Sequence, residues 1–289
     1  MPHTRYTTLI SAANLAERLA AAPGSVALFD CRFDLADPGA GEAAYAAGHL
    51  PGAQYLHLDR DLSGRKTGTN GRHPLPTRDA LATLLASRGL KQGQQVVAYD
   101  AQGGAYAARL WWLLRWLGHD SVAVLDGGLQ AWEAAGQPLM THVPQPVAGD
   151  FRSATPLEST VDAAAVLANV SSPARVVIDA RAPDRYRGEN ETIDRVGGHI
   201  PGARNRFFKD NLTADGRFKT GHELREAFAT VLAGTEPNRV ILQCGSGVTA
   251  CHNALALEVA GLHGASLYPG SWSEWSADPS RPIATGPNP

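Results

Sequence analysis

Val240-Ile241-Leu242-Gln243-Cys244-Gly245-Ser246-Gly247-Val248-Thr249-Ala250 runs from a strand-forming stretch into a glycine-bearing turn, and Cys251-His252-Asn253-Ala254-Leu255-Ala256-Leu257-Glu258 continues it as a helix. Strand, tight loop and helix in that order form the unit from which parallel α/β sheets are built. Cys244 falls at the join. The first turn of a helix carries N–H groups without intrahelical partners and the positive end of the helix dipole, and both favour a negatively charged sulfur. Gly245 and Gly247 are expected to take positive φ angles and bring backbone N–H groups close to whatever that sulfur carries, with Val248 and Thr249 completing the loop. Cys251, about two helical turns further on among apolar neighbours, reads as core packing.

Working outward, the chain repeats itself at about half its length. Asp30-Cys31-Arg32 returns as Asp179-Ala180-Arg181, and Gly48-His49-Leu50-Pro51-Gly52-Ala53 returns 150 positions later as Gly198-His199-Ile200-Pro201-Gly202-Ala203. Val96-Val97-Ala98-Tyr99 before Asp100 matches Val240-Ile241-Leu242-Gln243 before Cys244, and Gly127 to Trp132 matches Gly270 to Trp275. Each half alternates strands with helices, which predicts α/β architecture with a parallel sheet flanked by helices. The expected boundaries are a first domain over 1–140, a proline-bearing linker over 141–158 and a second domain over 159–289. Asp100 stands opposite Cys244. A carboxylate cannot replace a thiolate as nucleophile there, so the first half is expected to be catalytically silent and to contribute side chains only.

A length of 289 residues fits about two domains. With 44% hydrophobic residues, 19% charged and a net charge of −2, nothing points to a nucleic-acid binder or a polybasic membrane tail. The cysteines Cys31, Cys244 and Cys251 have neither a disulfide-framework nor a metal-binding pattern. The start, Met1-Pro2-His3-Thr4-Arg5-Tyr6, lacks the apolar core of a signal peptide, and no stretch approaches the roughly 18 apolar residues of a membrane span. A cytoplasmic protein is expected.

The string from Cys244 to Ala250 and the tandem landmarks resemble the rhodanese superfamily, and the loop is similar to that of its 3-mercaptopyruvate sulfurtransferases. The resemblance covers nearly the whole chain. It implies two rhodanese-like domains and a sulfur transfer in which Cys244 becomes a persulfide, with no metal or organic cofactor. It also implies a proton relay of a loop serine, a histidine and an aspartate, which map onto Ser246, His73 and Asp59, with His57 as a competing candidate. His49 and His199 lie in the repeated turn of both halves and read as structural. Arg185, before the aromatic Tyr186, matches the arginine that binds the donor's anionic group. The family's second arginine falls at position 194, which is Asp194 here, so its neighbour Arg195 is carried over, with Arg187 as a rival. Arg181 belongs to the repeated Asp-x-Arg pair.

Thiosulfate-preferring rhodaneses carry basic residues directly after the cysteine, whereas this chain has Gly245 and Ser246 there. The uncharged loop favours the monoanionic donor 3-mercaptopyruvate, with a thiosulfate:cyanide sulfurtransferase as the alternative. The acceptor is expected to be cyanide or a thiol, thioredoxin among them. A phosphatase of the same fold needs an arginine closing a C-x5-R loop, and the residue in that place is Ala250. A non-catalytic binding module is the rival from another class, and Cys244 itself is the feature that argues against it.

Overall fold

The computed structural model describes residues 4–289, so the first three positions of the start read above for a leader lie outside the described residues. The chain forms two compact units. One takes the residues up to Ser63, Pro76–Leu157 and Thr213–Phe218, and the other takes Gly64–Leu75, Glu158–Leu212 and Lys219–Pro289. The segment Gly64–Leu75 therefore belongs to the second unit although it lies in the first half of the sequence.

The strands of the first unit are β1 (Leu9–Ile10), β2 (Val26–Asp30), β3 (Gln54–Tyr55), β4 (Gln95–Tyr99) and β5 (Val122–Leu125). Its helices are α1 (Ala12–Ala21), α2 (Ala40–Ala47), α3 (Arg78–Ser87), α4 (Ala107–Trp116) and α5 (Gly128–Ala134). The second unit has β6 (Ser159–Thr160), β7 (Val176–Asp179), β8 (Arg204–Asn205), β9 (Val240–Gln243) and β10 (Ser266–Leu267). Its helices are α6 (Ala163–Ser171), α7 (Pro183–Arg187), α8 (Gly221–Leu232), α9 (Thr249–Val259) and α10 (Ser271–Trp275).

Each unit holds a five-stranded sheet of one topology, ordered β1-β5-β4-β2-β3 and β6-β10-β9-β7-β8, and every pairing is parallel. The short strands at the sheet edges, two residues each, lack the apolar run that a sequence reading looks for. The central strands do show it. Val96, Val97, Ala98 and Tyr99 of β4 and Val240, Ile241 and Leu242 of β9 are buried, as strands covered by helices on both faces must be. Among the described residues, no helix is long and apolar enough to cross a membrane.

The repeated turn has one geometry in both units. Pro51-Gly52 and Pro201-Gly202 fill the two central places, Gly52 and Gly202 have φ of 81° and 80°, and Ala53 N–H and Ala203 N–H close the turns onto Leu50 O and Ile200 O at 3.0 and 2.9 Å. A positive φ at the third place after a proline makes a type II turn, which only glycine enters without strain. His49 stacks on Tyr45 with its ring nitrogens facing Tyr45 O and His142 O. His199 stacks on Tyr186 and faces Tyr186 O and Asn288 O in the same way. Both histidines are fully buried and tie the turn to the chain beyond the last helix of their unit.

The Asp-x-Arg pair is equally duplicated. Arg32 binds the Asp30 carboxylate and Gly48 O, and Arg181 binds the Asp179 carboxylate and Gly198 O, all buried. Most of the proline-bearing stretch is not a loose connector. Gly149, Phe151, Ala154 and Leu157 donate their N–H groups to Ala86, Leu90, Leu117 and Arg115 of the first unit, and Phe151 is buried there.

Candidate active site

Asp100 and Cys244 follow the central strands of the two sheets, at the carboxyl edge where open α/β sheets place their ligands. Behind each, the chain makes the same bond to the helix that follows the last strand: Leu129 N–H donates to Asp100 O at 2.9 Å, and Trp272 N–H donates to Cys244 O at 3.0 Å.

In the first unit the Asp100 carboxylate fills its own loop. Oδ1 accepts the N–H groups of Gln102 and Gly104, both at 2.9 Å, and Oδ2 accepts those of Tyr106 and Ala107 at 2.8 and 2.9 Å. Four donors on one carboxylate describe an anion cradle. In the second unit the matching N–H groups of Ser246 and Val248 have no acceptor among the described residues, and Cys244 stands where the carboxylate would be.

Cys244 is buried, 2% exposed, at the foot of α9. Its N–H donates to Ser271 Oγ at 3.1 Å, and that hydroxyl donates to Tyr268 O at 2.9 Å. Ser271 takes φ of 53°, as Gly128 takes 58° at the matching place of the first unit. A side chain in this left-handed conformation is strained, and here it is held by the two bonds that fix the cysteine backbone. The loop glycines divide their roles differently from the expectation. Gly247 has φ of 75°, and a Cβ there would lie 2.3 Å from Pro269 O. Gly245 does not have a positive φ. A Cβ there would stand 3.0 Å from Arg72 Nη2 and 3.7 and 3.8 Å from Arg185 Nη2 and Nη1, so the position lies beside two guanidinium groups. Val248 is buried just before α9, Thr249 opens that helix, and Cys251 is buried with its thiol against Gly247 O at 3.3 Å.

Within the second unit, His73 and Ser246 meet. His73 Nδ1 lies 2.7 Å from Ser246 Oγ, and both residues are buried. The segment Gly64–Leu75 delivers His73, since Arg72 N–H donates to Ser273 Oγ at 2.9 Å and Ser273 N–H donates to Gly245 O at 2.9 Å. Asp59 lies half-buried in the first unit, after β3, with its N–H donating to His57 Nδ1 at 3.1 Å. His57 is committed to that turn: Nδ1 also accepts from Arg60 N–H, so Nε2–H donates to Pro38 O.

Arg185 reaches the loop, held by carboxylates behind it. Its Nε and Nη2 donate to Glu191, and Nη2 also donates to Asp194 Oδ2 at 3.1 Å. Arg72 Nη1 donates to the other oxygen, Asp194 Oδ1, at 2.6 Å. Burial pushes the Glu191 carboxyl up, but the Arg185 hydrogen bonds and the N–H groups of Asp194 and Ile193 outweigh it and hold the group below the usual carboxylate range. Arg195 departs from its expected place: it is exposed, and the residue that turns inward is Asp194, because that carboxylate is bound by two guanidinium groups. Arg187 pairs outward with Glu189. Arg72, Asp194, Glu191 and Ser271 were missed in the sequence; the alignment of Gly270-Ser271 with Gly127-Gly128 was the one signal available, and it marked Ser271 alone.

Comparison with known proteins bears on the family and the fold. The rhodanese-like domain family matches residues 11–135 and 162–278. A Pseudomonas aeruginosa protein named "Probable 3-mercaptopyruvate sulfurtransferase" is 48% identical over 280 residues, 96% of this chain and 98% of its own. The thiosulfate sulfurtransferase of Bos taurus is 34% identical, over 93% of this chain and 92% of its own. Among solved structures, a 3-mercaptopyruvate sulfotransferase from Escherichia coli superposes with a TM-score of 0.78 at 31% identity, covering 93% of this chain and all of that one. With a repeated parallel sheet, a cysteine loop at its carboxyl edge and a family match over both units, the chain belongs to the rhodanese family.

Proposed function

We propose that this chain moves sulfur from 3-mercaptopyruvate through a Cys244 persulfide to a thiol or cyanide. The Cys244 thiolate attacks the donor's thiol sulfur. An S–S bond forms, the bond between that sulfur and C3 breaks, and its electron pair stays on C3 as pyruvate enolate. The proton from the donor's thiol ends on C3, giving pyruvate and an ionised persulfide. Cyanide then takes the outer sulfur as thiocyanate and the thiolate returns; a thiol acceptor becomes a persulfide instead.

The observation that carries this reading is the 2.7 Å approach of His73 Nδ1 to Ser246 Oγ, two residues from the nucleophile. Only a donor that arrives with a proton to lose and leaves needing one at carbon has a use for such a relay. Ser246 passes the proton and His73 holds it in transit, with Asp59 proposed to orient the histidine. Arg185 takes the donor carboxylate, and the N–H groups of Gly245, Gly247, Val248 and Thr249 face the negative charge on the sulfur or the departing enolate. Arg195, exposed in this structure, is left out.

Thiosulfate is the second reading, favoured by the guanidinium groups beside Gly245. The acceptor proposed is a small thiol or cyanide, with thioredoxin one protein thiol to try. Three free cysteines suit a reducing compartment, and the cytoplasm is the proposed location. Initial rates with 3-mercaptopyruvate and with thiosulfate, against one acceptor, test the donor. A kcat/KM at least about tenfold higher for mercaptopyruvate is expected, and a preference for thiosulfate overturns the assignment.

A further inference from the structure

We propose that the second unit encloses one water molecule, bound by Gln243 and the N–H of Ile200, at the place that the Tyr99 hydroxyl takes in the first unit. The inference concerns the strand that ends at the nucleophile and does not depend on the donor.

The two units match residue for residue around this place. Tyr99 ends β4 and pairs with Asp30, and Gln243 ends β9 and pairs with Asp179. Behind each pair the chain makes one bond, from Cys31 N–H to Tyr99 O at 2.8 Å and from Ala180 N–H to Gln243 O at 2.9 Å. The proline-glycine turns start from Leu50 and Ile200 in one geometry, so the same N–H group comes to the same strand end in both units. In the first unit the Tyr99 hydroxyl accepts the Leu50 N–H at 3.1 Å. Burial, and after it the neighbouring Asp30 charge, push that phenol's pKa up, so it keeps its proton and presents it to the carboxylate.

Gln243 does not repeat this bond. It is fully buried, and neither its amide oxygen nor its amide nitrogen has a hydrogen-bond partner. The equally buried Ile200 has no acceptor for its N–H among the described residues. Buried polar groups in folded proteins are almost always paired. A glutamine side chain extends less far from its strand than a tyrosine, and its amide stops short of the turn that the Tyr99 hydroxyl reaches.

The chemistry selects the ligand. It must accept from the Ile200 N–H, bind a carboxamide, and sit beside Asp179, whose charge Arg181 already neutralises. An ammonium ion cannot accept and a halide cannot donate. Water does both, and a buried water makes about three hydrogen bonds. Here it accepts from Ile200 N–H, donates one hydrogen to Gln243 Oε1 and presents the other to Asp179. The strand before Cys244 is thus tied to its proline-glycine turn through solvent, where β4 is tied by a side chain.

High-resolution crystal structures of the parent and of Gln243→Tyr test the proposal, with the first unit as internal control. In the parent a water peak is expected within hydrogen-bond distance of both Ile200 N and the Gln243 amide, and none between Leu50 N and Tyr99. In Gln243→Tyr that peak should go, and the introduced hydroxyl should take the Ile200 N–H. Gln243→Leu, which offers the water no polar group, should melt about 3 °C or more below the parent. A well-ordered parent map without the peak overturns the proposal, and so does a direct bond from Ile200 N–H to the Gln243 amide. A Gln243→Leu variant that melts with the parent overturns it too, since the amide would then hold nothing. Should the variants fail to fold, the parent map decides alone.

Discussion

Asp100 and Cys244 occupy one position in two copies of one fold, and their loops differ in what fills them. Around Asp100 the chain spends four backbone N–H groups on its own carboxylate. Around Cys244 the same turn closes on a side chain that makes no such claim on Ser246 N–H or Val248 N–H. The cradle suits an anion in both units, but only in the second is the anion left for chemistry to supply. In the first unit an internal carboxylate holds the loop closed as a bound anion would.

The largest way to break this contrast is to remove the sulfur. Cys244→Ser should lower sulfur transfer by more than about a hundredfold with an unchanged thermal melt, and residual turnover above that level would take Cys244 out of its role. Next comes the relay. Ser246→Ala and His73→Ala should slow mercaptopyruvate turnover by about a hundredfold and thiosulfate turnover far less, because sulfite departs without needing a proton. Equal slowing of the two donors would argue that the Ser246–His73 bond is structural.

Asp100→Ala probes the filled cradle. Stranding four N–H groups at a buried helix start should lower stability by about 2–3 kcal/mol, measured by denaturant unfolding, with sulfur transfer at low temperature preserved. A variant as stable as the parent would mean that the four bonds are incidental.

The smallest effect concerns Glu191, which has no counterpart of its kind in the first unit's loop. Its carboxyl lies below the usual range in the folded protein, so it contributes stability at pH above the ordinary glutamate value and loses it as pH falls through the lowered one. Glu191→Gln should therefore melt lower than the parent near neutral pH, by about 1–2 kcal/mol, and the gap should close in acid. A gap that stays constant with pH would show that packing and not charge is lost.

The central strands, the two proline-glycine turns and the anion loop were legible because each rests on local pattern: apolar runs, fixed turn residues and a strand-to-helix join. The meeting of Ser246 and His73 was legible only through resemblance, since 173 residues of chain separate them and nothing local in Gly71-Arg72-His73-Pro74 announces it. The pairing of Arg72 with Asp194 was not legible at all. It depends on Gly64–Leu75 packing with the second unit, which no periodicity in that glycine-rich segment reveals. The edge strands escaped for a related reason, because two-residue pairings are made by the neighbouring strand and not by their own sequence. Gly245 taught the opposite lesson: a glycine read as conformational freedom has no positive φ and lies beside two guanidinium groups.

Mass analysis of the protein after brief exposure to 3-mercaptopyruvate without acceptor tests the account most directly. The account predicts about 32 Da added to one residue, with fragment ions placing it on Cys244 and neither Cys31 nor Cys251 changed, and release of that mass on adding cyanide. No added mass on Cys244, with the protein folded and the donor intact, would contradict it.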